Sequence, residues 1–137
     1  MPNSVYAKEW LQFAYRNLYT AVHLYEVNHF TDIIVIDLQQ ALEKMLKATL
    51  AYDNIKIPKS YFLDELASLS GRVTFNDDEL LILEKTTDYY REDRYPNPNY
   101  ALPTRQETKE ILDFTMILFD RICETLKISK ESIVHVK

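Results

Sequence analysis

The sequence predicts an all-α fold, an up-and-down antiparallel bundle of four long helices plus one short helix. Three observations carry that prediction. Apolar residues recur at helical spacing through long stretches, with polar residues on the opposite faces. Capping boxes stand at Asn76/Glu79 and Thr104/Glu107, each directly before such a stretch. The chain of 137 residues holds a single glycine, Gly71, and sheet-rich folds need glycine at tight turns and bulges.

The elements follow in order. The first helix is expected from about Val5 to about Val27, with Trp10, Ala14, Leu18, Ala21 and Tyr25 on one stripe and Glu9, Gln12, Arg16, Tyr19 and His23 opposite. A helix of that size is roughly 33 Å long. Asn28 to Phe30 form a short break, and Thr31 is placed to cap a second helix that runs to about Tyr52. So short a connection predicts a helix hairpin. Residues 53–60 read as a loop marked by Pro58, and Tyr61 to Leu66 as a short helix tucked in through Phe62, Leu63 and Leu66. A third long helix follows Asn76 and ends between Arg91 and Arg94, because Pro96 and Pro98 forbid its continuation. The last long helix runs from the Thr104 cap to about Lys127, with a core stripe of Ile111, Phe114, Thr115, Leu118, Phe119, Ile122 and Leu126. The tail, 128–137, has no clear pattern. Everything reads as one domain, 1–137, with its core at about 5–127.

Charge and composition exclude several function classes. A net charge of −5 argues against a general nucleic-acid coat, since phosphate binding wants a basic surface. A lone cysteine, Cys123, forms no intrachain disulfide and fits a reducing compartment. No apolar run approaches the length of a membrane span, and no N-terminal signal pattern is visible. The expectation is a cytoplasmic protein. His23, His29 and His135 show no metal spacing, and neither a glycine-rich phosphate loop nor a nucleophile elbow is present. No metal and no cofactor are expected.

Three constellations remain as candidate sites. Gln40, Lys44 and Lys47 form a polar ridge on the second helix, suited to a phosphate or a partner's carboxylates. The plainer reading is a solvated face with a Glu43–Lys47 pair one turn apart, worth about 0.3 kcal/mol. Arg91, Arg94 and Tyr95 stand where the third long helix runs into a proline-fixed loop. The arginines match phosphate with their planar donor forks, and Tyr95 is placed to stack a base. The plainer reading is cations compensating a helix C-terminus. Arg16 and His23 share the polar face of the first helix and are the pair a metal-independent ribonuclease would need, with His23 as general base and Arg16 steadying the phosphorane. Most residues on such a face are simply solvated. Ile33, Ile36, Met116 and Ile117 fall off the core stripes and suggest self-association.

The run Leu38 to Ala48, with its Gln-Gln-x-x-Glu-Lys-x-x-Lys-Ala pattern, resembles the signature helix of the HEPN family (higher eukaryotes and prokaryotes nucleotide-binding domain). Tyr90 to Pro96 resembles that family's Tyr-x-x-x-Arg-Tyr-Pro loop, and Trp10 to Ala21 its opening helix. The resemblance extends from about Ala7 to about Leu126. It implies a helical bundle that pairs with itself as a homodimer, often encoded beside a minimal nucleotidyltransferase in a toxin–antitoxin-like pair. Two departures stand out. Tyr61 occupies the place of the histidine in the family's His-x-Leu-x-x-Leu, and after Asn76 no arginine is separated by four to six residues from a following histidine. The second departure points to the non-nucleolytic branch. The expected function is therefore non-catalytic binding of a nucleotide-like anion or a nucleotidyltransferase partner, through Gln40, Lys44, Lys47, Arg91, Arg94 and Tyr95. A ribonuclease toxin using Arg16 and His23, and a purely structural dimerisation module, are the alternatives.

Overall fold

The computed structural model describes residues 1–93 and 99–134. Arg94 and Tyr95 therefore lie outside the described residues, as does His135. The elements are α1 (Ser4–Glu26), α2 (Thr31–Tyr52), α3 (Leu63–Leu69), α4 (Asp77–Glu92), α5 (Arg105–Leu126) and α6 (Glu131–Val134). No strand occurs among the described residues, and none of the helices is long and apolar enough to cross a membrane.

α1 and α2 form the expected antiparallel hairpin. Asn28 takes a left-handed turn (φ 58°), which lets the His29 N–H return to the Leu24 carbonyl at 2.9 Å and close the end of α1. At the far end the Asn3 N–H donates to the Tyr52 carbonyl at 2.8 Å, tying the open end of the hairpin together. Thr31 does not cap α2. The cap position is Phe30, and the Thr31 hydroxyl donates instead to the Pro103 carbonyl at 2.7 Å. That long-range bond brings the start of α2 to the start of α5, so these two helices run parallel. α1 and α4 run antiparallel to both.

α2 is the centre of the bundle. Ile34, Leu38, Ala41, Leu42 and Met45 are fully buried, as expected of its apolar face. Gln39 and Lys47, on its polar side, are buried too. The helix packs against α1, α3, α4 and α5 at once.

α3 starts at Leu63, two residues later than predicted. The Tyr61 carbonyl is held by the Gln39 side-chain amide at 2.7 Å, and the Leu63 N–H reaches the Thr87 hydroxyl at 3.3 Å. Leu63 and Leu66 enter the core, but Phe62 stays on the surface. Both predicted capping boxes are formed, at Asn76/Glu79 and Thr104/Glu107. α5 stops at Lys127, a non-glycine residue in the left-handed region (φ 56°), with the Ile128 N–H bonded to the Cys123 carbonyl. The tail then turns back. α6 packs on α1, and Ile133 is completely buried, so the core extends beyond residue 127.

Candidate functional site

The polar side of α2 is not a solvated face. Lys47 is only 7% exposed; its ammonium sits 2.9 Å from the Glu43 carboxylate and 5.8 Å from the centre of the Trp10 ring. Its charge is thus met within the fold. Lys44 points toward α1 and donates to the Asn17 side-chain oxygen at 2.6 Å. The same amide donates from its nitrogen to Asp37 at 3.2 Å. Asp37 and Lys44 stand seven residues apart on one face of α2, and Asn17 bridges them.

All three residues are half-buried, and the burial moves both charged groups toward neutrality. Burial raises the Asp37 carboxyl above the usual carboxylate range, opposed by the Asn17 hydrogen bond and by Lys44. Burial lowers the Lys44 ammonium below its ordinary value, opposed by Glu43 and Asp37.

Gln40 lies between them, one turn from each. Its side-chain nitrogen donates to the Tyr90 hydroxyl at 3.2 Å, which joins the α2 ridge to the end of α4 within one chain. Arg91 is the next residue. It is exposed, and its guanidinium lies 5.4 Å from the centre of the Phe62 ring. Phe62 stacks on Tyr61 (4.8 Å, 23°), and Tyr61 packs at 5.4 Å against Tyr90. Gln40 therefore touches the end of α4 at the residue before Arg91, Lys44 turns toward α1, and Lys47 sits deeper in its own ion pair. Arg94 and Tyr95 fall outside the described residues. The bridging Asn17, the acid Asp37, and the Tyr61–Phe62–Tyr90 cluster were missed in the sequence. Asn17 carries no local signal, because its partners Asp37 and Lys44 lie 20 or more residues away, and the Phe62–Arg91 contact likewise spans distant residues. Tyr61 had a signal, as the departure from the family's histidine.

Arg16 and His23 are both exposed on α1, about 10 Å apart along its axis. Arg16 lies over the Phe13 ring at 4.9 Å. The surface depression that Arg16 lines, with Tyr15, Tyr19, Thr20 and Val134, does not contain His23. Among the described residues no group of three or more His, Cys, Asp or Glu side chains comes together to hold a metal. Cys123 is buried, and burial together with Asp120 pushes its thiol up to about 11. It is an inert core thiol.

The leftover apolar residues do not make one patch. Ile33 (39% exposed) and the half-buried Ile36 continue the Asp37–Gln40–Lys44 face of α2. Met116 instead lines an apolar crevice of about 230 Å³ between α1, α5 and α6, with Tyr15, Tyr19, Val22 and Phe119. Asn17 and the Tyr15–Tyr19 pair lie about 160° apart around α1, so the two regions open on opposite flanks of that helix. A larger cleft, about 490 Å³, runs along the outer side of α4 between Lys85, Asp88, Tyr89, Glu92 and Tyr100. It does not reach the α2 ridge. On its floor the Tyr89 hydroxyl donates to Glu107 at 2.8 Å.

Comparison with known proteins places this architecture. The HEPN domain profile matches residues 7–126, nearly the whole chain, and the protein belongs to the HEPN family. That family comprises nucleotide-binding or ribonuclease-like helical domains. Among solved structures the chain is similar to TT1696 from Thermus thermophilus, at 26% identity and a TM-score of 0.72, over 87% of this chain and 97% of that one. It shares the fold of ST0689, an archaeal HEPN homologue, at 18% identity and a TM-score of 0.68, over 88% and 97% of the two chains. No curated protein matches.

Proposed function

We propose that this HEPN protein binds a nucleotide-like anion on the open face of α2 and catalyses no reaction itself. The observation that carries the reading is the Gln40–Tyr90 hydrogen bond. It ties the α2 ridge to the residue next to Arg91 in one chain, which supports a ligand surface drawing on the Gln40 amide, the half-buried Lys44 ammonium and the exposed Arg91 guanidinium. Arg91 takes phosphate oxygens, with its plane held by Phe62. Gln40 and Lys44 hold the rest of the ligand. Arg94 and Tyr95 belong to the proposed site on the resemblance of the Arg-Tyr-Pro loop. Lys47 supports it only indirectly, through its pair with Glu43.

The same face favours a protein partner as a second reading. Ile33, Phe13 (52% exposed) and Phe62 (36% exposed) are apolar groups bordering a polar network whose own hydrogen bonds are largely made internally. A second copy of the chain, or a minimal nucleotidyltransferase in a toxin–antitoxin-like pair, is the occupant the family suggests. A cytoplasmic setting fits both readings.

Thermal unfolding with and without ATP and GTP tests the first reading. A nucleotide at 100 times its dissociation constant adds about 2.7 kcal/mol of stability. The stabilisation is expected to disappear in Arg91→Ala. No stabilisation by any nucleotide, together with a stable dimer in solution, would shift the assignment to the partner reading.

A further inference from the structure

From the Asn17 bridge we infer that Asp37 and Lys44 form a reading head for the hydrogen-bonding edge of a nucleobase, and that the Asn17 amide is the built-in occupant a base displaces. This rests on the nucleotide-binding reading above and assigns the base end of that ligand.

The geometry is specific. Lys44 offers only N–H donors, and ionised Asp37 only acceptors. They are spaced so that one planar carboxamide satisfies both, its oxygen on the ammonium at 2.6 Å and its nitrogen on the carboxylate at 3.2 Å. A nucleobase edge repeats that pattern, an acceptor atom beside an N–H donor on one rigid plane. Phosphate does not. It has acceptors alone, and Asp37 would repel it beside Lys44. The Asp37 carboxylate thus sends the phosphate elsewhere, and among the described residues Arg91 is an exposed cation next in sequence to Tyr90, which Gln40 reaches. Gln40 stands one turn from both Asp37 and Lys44, between the two ends of the ligand. Ligand polarity follows, with the base toward α1 and the phosphate toward α4.

Asn17 sets the affinity. Its amide must leave before a base can enter, so the site is self-occupied at low ligand concentration. The group is half-buried on α1.

Calorimetric titration of the full chain with adenosine, N6,N6-dimethyladenosine and inorganic pyrophosphate separates the parts. Adenosine is expected to bind about tenfold more tightly to Asn17→Ala, and to Asn17→Ser, than to the parent, since displacing one charge-assisted hydrogen-bonded amide is worth at least that factor. Asp37→Asn should weaken adenosine and leave pyrophosphate unchanged or tighter. The dimethylated base, which lacks the donor, should lose the gain from Asn17→Ala. Adenosine binding that ignores both Asn17 and Asp37 overturns the inference, and pyrophosphate binding lost in Arg91→Ala would still support the nucleotide reading. Binding of none of the three probes to the parent or to Asn17→Ala overturns both.

Discussion

Two carboxylates in this bundle are held in opposite ways. Glu107, at the start of α5, accepts from the Thr104 N–H as the third residue of a capping box and from the Tyr89 hydroxyl at 2.8 Å, with Lys85 at 3.7 Å. The Thr104 backbone bond, the Tyr89 hydroxyl and Lys85 keep it below its ordinary value, and the Tyr89 hydroxyl rises to about 12 through burial and Glu107. Asp37, on the open face of α2, receives one longer bond from Asn17 and is raised above its ordinary value by burial. Glu107 has the environment of a structural acid whose ionised form the fold favours. Asp37 has that of an acid kept charged at some expense, which is where a binding role is to be sought.

Removing each acid sharpens this contrast. Glu107→Ala strips the α5 capping box and leaves the Tyr89 hydroxyl without its acceptor, so it should cost about 2 kcal/mol in urea unfolding at neutral pH. Asn17→Ala, which breaks the bridge but lets Lys44 and Asp37 find water or each other, should cost about 0.5–1 kcal/mol in the same assay. Asp37→Asn should stay within about 0.5 kcal/mol of the parent, because the amide relieves a half-buried charge while keeping its shape. A loss for Asp37→Asn as large as that for Glu107→Ala would erase the distinction.

The pH dependence separates the two by sign. Glu107 and Glu79 have folded values below their unfolded ones, Glu79 through Arg121 and its own capping box set against burial. Their contribution is complete above the ordinary glutamate value of about 4.3 and is lost as pH falls through the folded values. Asp37 runs the other way. Its raised value makes the folded state bind a proton first, so it gains stability as pH falls and partly offsets the acid loss. Acid titration followed by circular dichroism should show a flatter decline in Glu107→Gln and a slightly steeper one in Asp37→Asn.

The fold was legible because its signals are local. Helical periodicity and the two capping boxes lie within a few residues of the elements they define, and four long helices follow from them. The misses came where a distant partner overrode a local preference. Thr31 is a good cap residue but is engaged by Pro103, 72 residues away. Phe62 reads as core together with Leu63 and Leu66, yet with the Gln39–Tyr61 bond holding the segment only the two leucines go inward. The tail lacked a pattern because four helical residues bury only Ile133. At the site, Gln40 and Lys44 stood out as an ordered polar ridge, and Arg91 as a cation at a helix end. That the ridge is half-buried, that Lys47 is neutralised within it, and that Asn17 joins Asp37 to Lys44 are products of tertiary packing and leave no mark on the local sequence.

The most direct test is a site-resolved carboxyl titration of the free protein by carbon-detected NMR, with Asp37 and Glu107 followed in one sample. Asp37 is predicted to titrate above the ordinary aspartate value and Glu107 below the ordinary glutamate value. An Asp37 midpoint at or below the ordinary aspartate value, or a Glu107 midpoint at or above the ordinary glutamate value, would contradict the account.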